Sequence, residues 1–155
     1  MMDRRAIVGL AALGMMAGGA AHAAGGSSDA SQLAKTLVLD FYKQALSDRK
    51  PKEAFARCAS ADFVDHAAGV PGGSRDDSAA ALEALFVQMP SGRWTIVRSA
   101  AENDLVFLHV RVTPAPGAPE VAIAEIFRVQ GDKIVEHWDV VASAPDKPVN
   151  AHSMF

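Results

Sequence analysis

Residues 120–141 constrain this chain most. Two runs of β type, 121–130 and 133–142, flank Gly131-Asp132, and such a pair between alternating runs reads as the turn of a hairpin. Val121, Ile123, Glu125, Phe127 and Val129 fall on one side of the first run, an apolar stripe broken only by Glu125. In the second run Val135, His137, Asp139 and Val141 share one face, and Ile134, Glu136, Trp138 and Val140 share the other. Both faces are partly apolar, so parity leaves open which one looks inward. A strand on the surface presents acids and imidazoles to water at no cost. A strand lining a closed, curved sheet presents them to a cavity, where they can do chemistry.

Upstream the hydrophobic period is that of helices. Leu33, Leu37, Phe41 and Ala45 recur at helical spacing, with Val38 and Tyr42 beside them and Asp29 or Ser31 as the cap. Pro51 ends this helix and opens a second one over about 51–59. The run Asp62-Phe63-Val64-Asp65-His66 leads into a Gly- and Pro-rich loop over 67–74. A third helix starts at Asp76 or Asp77, turns Ala80, Leu82, Leu85 and Phe86 inward, and stops at 90–92. Strands over 94–100 and 105–112 follow, with Glu102-Asn103-Asp104 as the turn between them, and then the hairpin. Three helices followed by four consecutive strands predict an α+β fold with an antiparallel sheet and helices on one face. If the long strands curl, sheet and helices enclose a cone with one open mouth.

Composition narrows the function. Arg4 and Arg5, the apolar run 6–17 and the ending Ala21-His22-Ala23 read as a signal peptide over 1–23. The apolar run is too short to span a bilayer, which takes roughly 20 residues, so no stable membrane insertion is expected after cleavage. Residues 24–31 read as a flexible leader, and 32–155 as one domain of periplasmic or secreted location. Cleavage removes Arg4, Arg5 and Asp3 from 15 Lys and Arg and 18 Asp and Glu, which leaves 13 against 17 and a net charge of −4. No basic cluster remains to bind nucleic acid. Cys58 is the only cysteine, so no internal disulfide forms, and its helical setting makes it a buried structural thiol.

Three stretches carry a family likeness. They are Asp62-Phe63-Val64-Asp65-His66 with the loop after it, the run 126–139 from Ile126-Phe127-Arg128 to His137-Trp138-Asp139, and the ending 144–155. On these the chain resembles the NTF2-like α+β cone, and more narrowly its SnoaL-like branch, which is related to polyketide cyclases and ketosteroid isomerases. The resemblance implies three N-terminal helices packed on a curved antiparallel sheet of about four to six strands. It also implies a small-molecule pocket, no cofactor, no metal, and a homodimer through the open sheet face. His66 matches the place where ketosteroid isomerases keep their general-base Asp. Many SnoaL-like relatives have His there followed by Asn-Pro, where this chain has Ala67-Ala68. Glu125 falls where ketosteroid isomerases keep a protonated Asp that donates a hydrogen bond. Asp139 resembles the acid/base Asp of SnoaL-type cyclases.

Proton abstraction beside a carbonyl needs a base that titrates near the working pH and a donor for the enolate oxygen. His66, Glu125 and Asp139 are therefore the candidate catalytic residues. Phe63, Phe127, His137 and Trp138 are the candidate substrate-binding residues. Each has a plainer alternative. His66 could cap its loop, Glu125 could pair with Arg111, and His137 with Asp139 could form a surface or interface pair. His109 reads as a satisfied strand histidine. His66, Glu125, His137 and Asp139 are metal-ligand types, but their spacing fits no standard site. The expected activity is acid/base catalysis of aldol, isomerase or lyase type on a small apolar carbonyl compound. The rival expectation is a noncatalytic ligand-binding or dimerisation module.

Overall fold

A computed structural model describes residues 22–145 and 147–155. The expected signal peptide lies, through residue 21, outside the described residues. α1 spans His22–Tyr42 and runs into a π-helical turn, Lys43–Ser47. Its buried face is Ala34, Val38, Phe41, Tyr42 and Ala45. Leu33, expected inward, is 72% exposed, because the stripe runs one position further along the helix. The stretch 24–31, expected as a flexible leader, forms the first turns of α1. Helix extends at little cost from an anchored segment, and Ser31 Oγ anchors it by donating to the Asn103 carbonyl at 3.0 Å.

α2, Pro51–Cys58, starts with Pro at its first turn, where the missing N–H has no helical partner to lose. It buries Ala54, Phe55 and Cys58. The chain then does not pass directly into a loop. Ala59–Asp65 forms β1, which pairs in parallel with the last strand. The expected antiparallel sheet is thereby corrected to a mixed one, and the three helices are not all N-terminal to the sheet. β1 was hidden because its two large apolar residues, Phe63 and Val64, are adjacent and so fall on opposite faces, which leaves no alternation to read.

α3, Arg75–Gln88, begins with a capping box: Ser74 Oγ accepts from Asp77 N, and the Asp77 carboxylate accepts from Ser74 N. Ser78 and Ala79 are buried and Ala80 is exposed, one step away from the expected inward face. β2 Arg93–Glu102, β3 Leu105–Thr113, β4 Val121–Gln130 and β5 Lys133–Ser143 form the expected meander. Asn103 and Gly131 take the positive φ that their turns need. The five strands order as β1-β5-β4-β3-β2, an open sheet. Register shifts at 96/98, 128/129 and 59/64 mark bulges, which bend strands and tighten twist. The concave face carries Val106, Leu108, Val110 and Val112 of β3 against Val38, Phe41 and Phe55 of the helices.

Candidate active site

Helices and curved sheet leave a cavity of about 390 Å³. Its walls are mostly apolar, with Phe41 and Leu46 from the first helix and turn, Leu82, Leu85 and Met89 from α3, and Val112, Ile123 and Val141 from the sheet. Aromatic rings pack in sequence along one wall. Phe63 meets Phe55 at 5.4 Å, Phe55 meets Phe41 at 4.9 Å, and Phe41 meets Phe127 at 5.9 Å, all edge to face. Phe127 then stacks on His137 at 4.7 Å.

His137 is the node of the polar groups. β4 and β5 set Phe127 opposite His137 and Glu125 opposite Asp139, while β1 sets Asp65 beside His137. The imidazole lies between two carboxylates, with Nδ1 2.9 Å from Asp65 Oδ1 and Nε2 2.7 Å from Glu125 Oε2. Carboxylates only accept, so two such contacts require N–H on both nitrogens, an imidazolium. Burial alone would push this group down. The hydrogen bonds and charges of Asp65 and Glu125 outweigh burial and lift it to about 10. Asp65 also takes the Ala67 N–H at 3.0 Å and the Ser78 hydroxyl at 2.7 Å. Burial acts to raise Asp65, but His137, Ser78 and Ala67 together hold it below the usual carboxylate range. Tyr42 donates to Glu125 Oε1 at 3.1 Å, and burial with the Glu125 charge pushes the phenol well above its ordinary value.

Asp139 stands apart from this network. It lines the cavity and faces Glu125 across the strands, and no other side chain hydrogen-bonds it among the described residues. Burial raises its pKa, and the Glu125 and Asp65 charges add to that, against the lowering effect of His137. Two acids directly opposite on one sheet face repel, which is the same physics seen from the packing side.

The structure thus brings Glu125, Asp139, His137, Phe63 and Phe127 to one cavity. It does not bring His66 and Trp138 there. Their rings stack on each other at 4.7 Å on the other side of the sheet, with His66 Nε2 3.7 Å from Glu136 Oε1. Strand parity is the reason: with Phe63 and Asp65 turned inward on β1, Val64 and His66 must turn outward. Glu125 lies in the cavity wall with Tyr42 and His137 as its partners. Tyr42, Asp65 and Ser78 went unrecognised in the sequence. For Asp65 the signal was there, one residue before His66, once 59–65 is read as a strand. Both nitrogens of His137 face carboxylates and His66 is on the far side, so those four ligand types do not converge on a metal position.

The SnoaL-like domain model matches residues 38–137. The chain belongs to the SnoaL-like domain family. No curated protein matches it. Among solved structures, IdmH of Streptomyces antibioticus, a proposed polyketide cyclase, superposes with a TM-score of 0.60 at 20% identity over 70% of this chain and 91% of that one. A proposed SnoaL-like polyketide cyclase of Jannaschia gives 0.62 at 15% identity over 72% and 87%. A proposed ketosteroid isomerase of Kribbella flavida gives 0.59 at 16% over 81% and 89%. At such identities these likenesses establish the NTF2-like fold.

Proposed function

We propose that this SnoaL-like protein is an exported acid/base catalyst that needs no cofactor and acts on a small apolar carbonyl compound. The observation that carries the reading is Asp139, a carboxyl group with a raised pKa at the wall of an apolar cavity, free of the network beside it. Asp139 takes a proton from the carbon next to the carbonyl and returns it, while the apolar walls exclude water. Asp65, Glu125 and His137 hold their mutual geometry beside it, and the proton that Asp139 has taken offsets the charge that develops on the carbonyl oxygen. Phe63, Phe127 and Phe41 seat the apolar body. Export is proposed on the basic, apolar and small-residue sequence of 1–23.

Deuterium exchange at the acidic C–H of 2-tetralone in heavy water, followed by proton NMR, tests this without knowledge of the natural substrate. The wild type accelerates exchange over buffer, and Asp139→Asn lowers the acceleration by about 10²- to 10⁴-fold, the usual worth of a positioned base. Equal rates for the variant and wild type would remove Asp139 from the chemistry.

A second reading, a noncatalytic binding or dimerisation module, is favoured by a different feature. The outer sheet face presents Val140 at 63% and Phe107 at 38% exposure. We propose a homodimer through that face. Light scattering of the wild type and of Val140→Lys tests it: a monomeric wild type ends this reading.

A further inference from the structure

The hydrogen-bond inventory of the cavity is one-sided. Tyr42 directs its hydroxyl to Glu125, and His137 directs both N–H groups to Asp65 and Glu125. The Ser78 hydroxyl has Asp65 Oδ2 at 2.7 Å and the Ser74 carbonyl at 2.9 Å, and it owns a single hydrogen. The other side-chain donor in the lining is the Trp94 indole, on β2, at the opposite edge of the sheet from the polar end. The polar end therefore offers a ligand acceptors, chiefly the Asp139 oxygens, and no free side-chain donor. Its charge is one-sided too. Asp65, Glu125 and Asp139 stand against one imidazolium, and among the described residues no Lys or Arg lines the cavity.

We propose that the ligand is an uncharged carbonyl compound that brings its own hydroxyl to Asp139, and that the cavity turns away carboxylates and other anions. This deepens, and rests on, the reading of the cavity as a proton-transfer site for carbonyl compounds. The hydroxyl satisfies an acceptor that no protein side chain partners among the described residues. It also gives the ligand a donor of its own where the protein has none to spare. An anion would meet this uncompensated negative charge among mostly apolar walls.

Three probes on one skeleton separate these ideas: 4-methylacetophenone, 4-(hydroxymethyl)acetophenone and 4-acetylbenzoate. Their affinities for the full chain are read by Trp fluorescence and calorimetry at neutral pH. The hydroxymethyl probe binds at least about tenfold tighter than the methyl probe, as a hydrogen bond to a charged acceptor gives. The benzoate binds about a hundredfold weaker than the methyl probe, the effect of one unpaired like charge nearby. In Asp139→Asn, with the near-ultraviolet circular dichroism of the wild type as the fold control, the hydroxymethyl advantage falls to within about threefold and the benzoate gains affinity. Equal binding of the methyl and hydroxymethyl probes, or a benzoate that binds as well as either, overturns the proposal while leaving the cavity reading intact. An advantage that survives in Asp139→Asn overturns it as well. Failure of all three probes to bind removes the proposal and the cavity reading together.

Discussion

Raising the pH should unfold this protein through one residue. His137 goes from 6.5 to about 10 on folding, so its contribution is fully present below 6.5 and is lost as pH rises through about 10. At about 1.4 kcal/mol per pH unit that difference is worth about 5 kcal/mol, a large share of the roughly 5–15 kcal/mol of a typical domain. The imidazole is 13% exposed, so solvent screening removes little of this. Other shifted groups act elsewhere. Asp65, held low, loses its contribution only in acid; Tyr42, raised, acts above 10; Cys58, raised by burial, adds a loss only past 9. Urea unfolding followed by circular dichroism at steps between about pH 6.5 and about pH 9 isolates the imidazole. Stability falls by about one proton's worth per pH unit in the upper part of that range, and His137→Gln flattens the slope. Nitrogen-15 shifts of the His137 ring, followed over the same range, report the protonation directly. A wild-type midpoint that does not move, or a ring that titrates near 6.5, would refute the imidazolium between Asp65 and Glu125.

Three further outcomes follow from named contacts. His66→Ala leaves 2-tetralone exchange within about twofold of wild type, because the ring lies across the sheet from the cavity; a large loss would reinstate it as the base. Ser78→Ala leaves the buried Asp65 carboxylate short of one partner and lowers stability by about 1–3 kcal/mol in urea unfolding; no change would show that water replaces the hydroxyl. Phe41→Ala removes a ring wedged between Phe55 and Phe127 and lowers stability by about 3 kcal/mol, at the low end for such changes because one side already borders open space.

The parts of the fold that repeat locally were legible. The hairpin over β4 and β5 follows from its alternation and Gly131, and the α1 helix from its apolar period, offset by one position at Leu33. β1 was not legible, because two adjacent large apolar residues, Phe63 and Val64, make no period to detect; it exists through its pairing with β5, a contact across 72 positions. That single omission hid which side of the sheet His66 lies on. With no strand over 59–65 there was no parity to assign, and His66 took the role that position alone suggested. Glu125 and Asp139 were legible as acids in apolar runs. The inward face of β5 was not, because Ile134 and Trp138 on one side balance Val135 and Val141 on the other. What decides it is the register with β4, where Phe127 and Glu125 lie opposite His137 and Asp139.

The same register explains why the proposed proton-exchanging group is Asp139 rather than the more obvious imidazole. A useful acid or base has its pKa near the pH at which it works. His137 enters the site as a nearly neutral-titrating side chain, and its two carboxylate partners move it to about 10, where it stays protonated and keeps both N–H groups engaged. Asp139 enters as an ordinary carboxylic acid, and burial, helped by the Glu125 and Asp65 charges and opposed by that of His137, raises it as well. The two groups thus shift in the same direction with opposite consequences: the imidazole keeps its proton, and the Asp139 carboxyl gives up its own less readily. Removing Asp65 or Glu125 would lower both values together, so the network and the reactive carboxyl are coupled through charge rather than through a shared hydrogen bond.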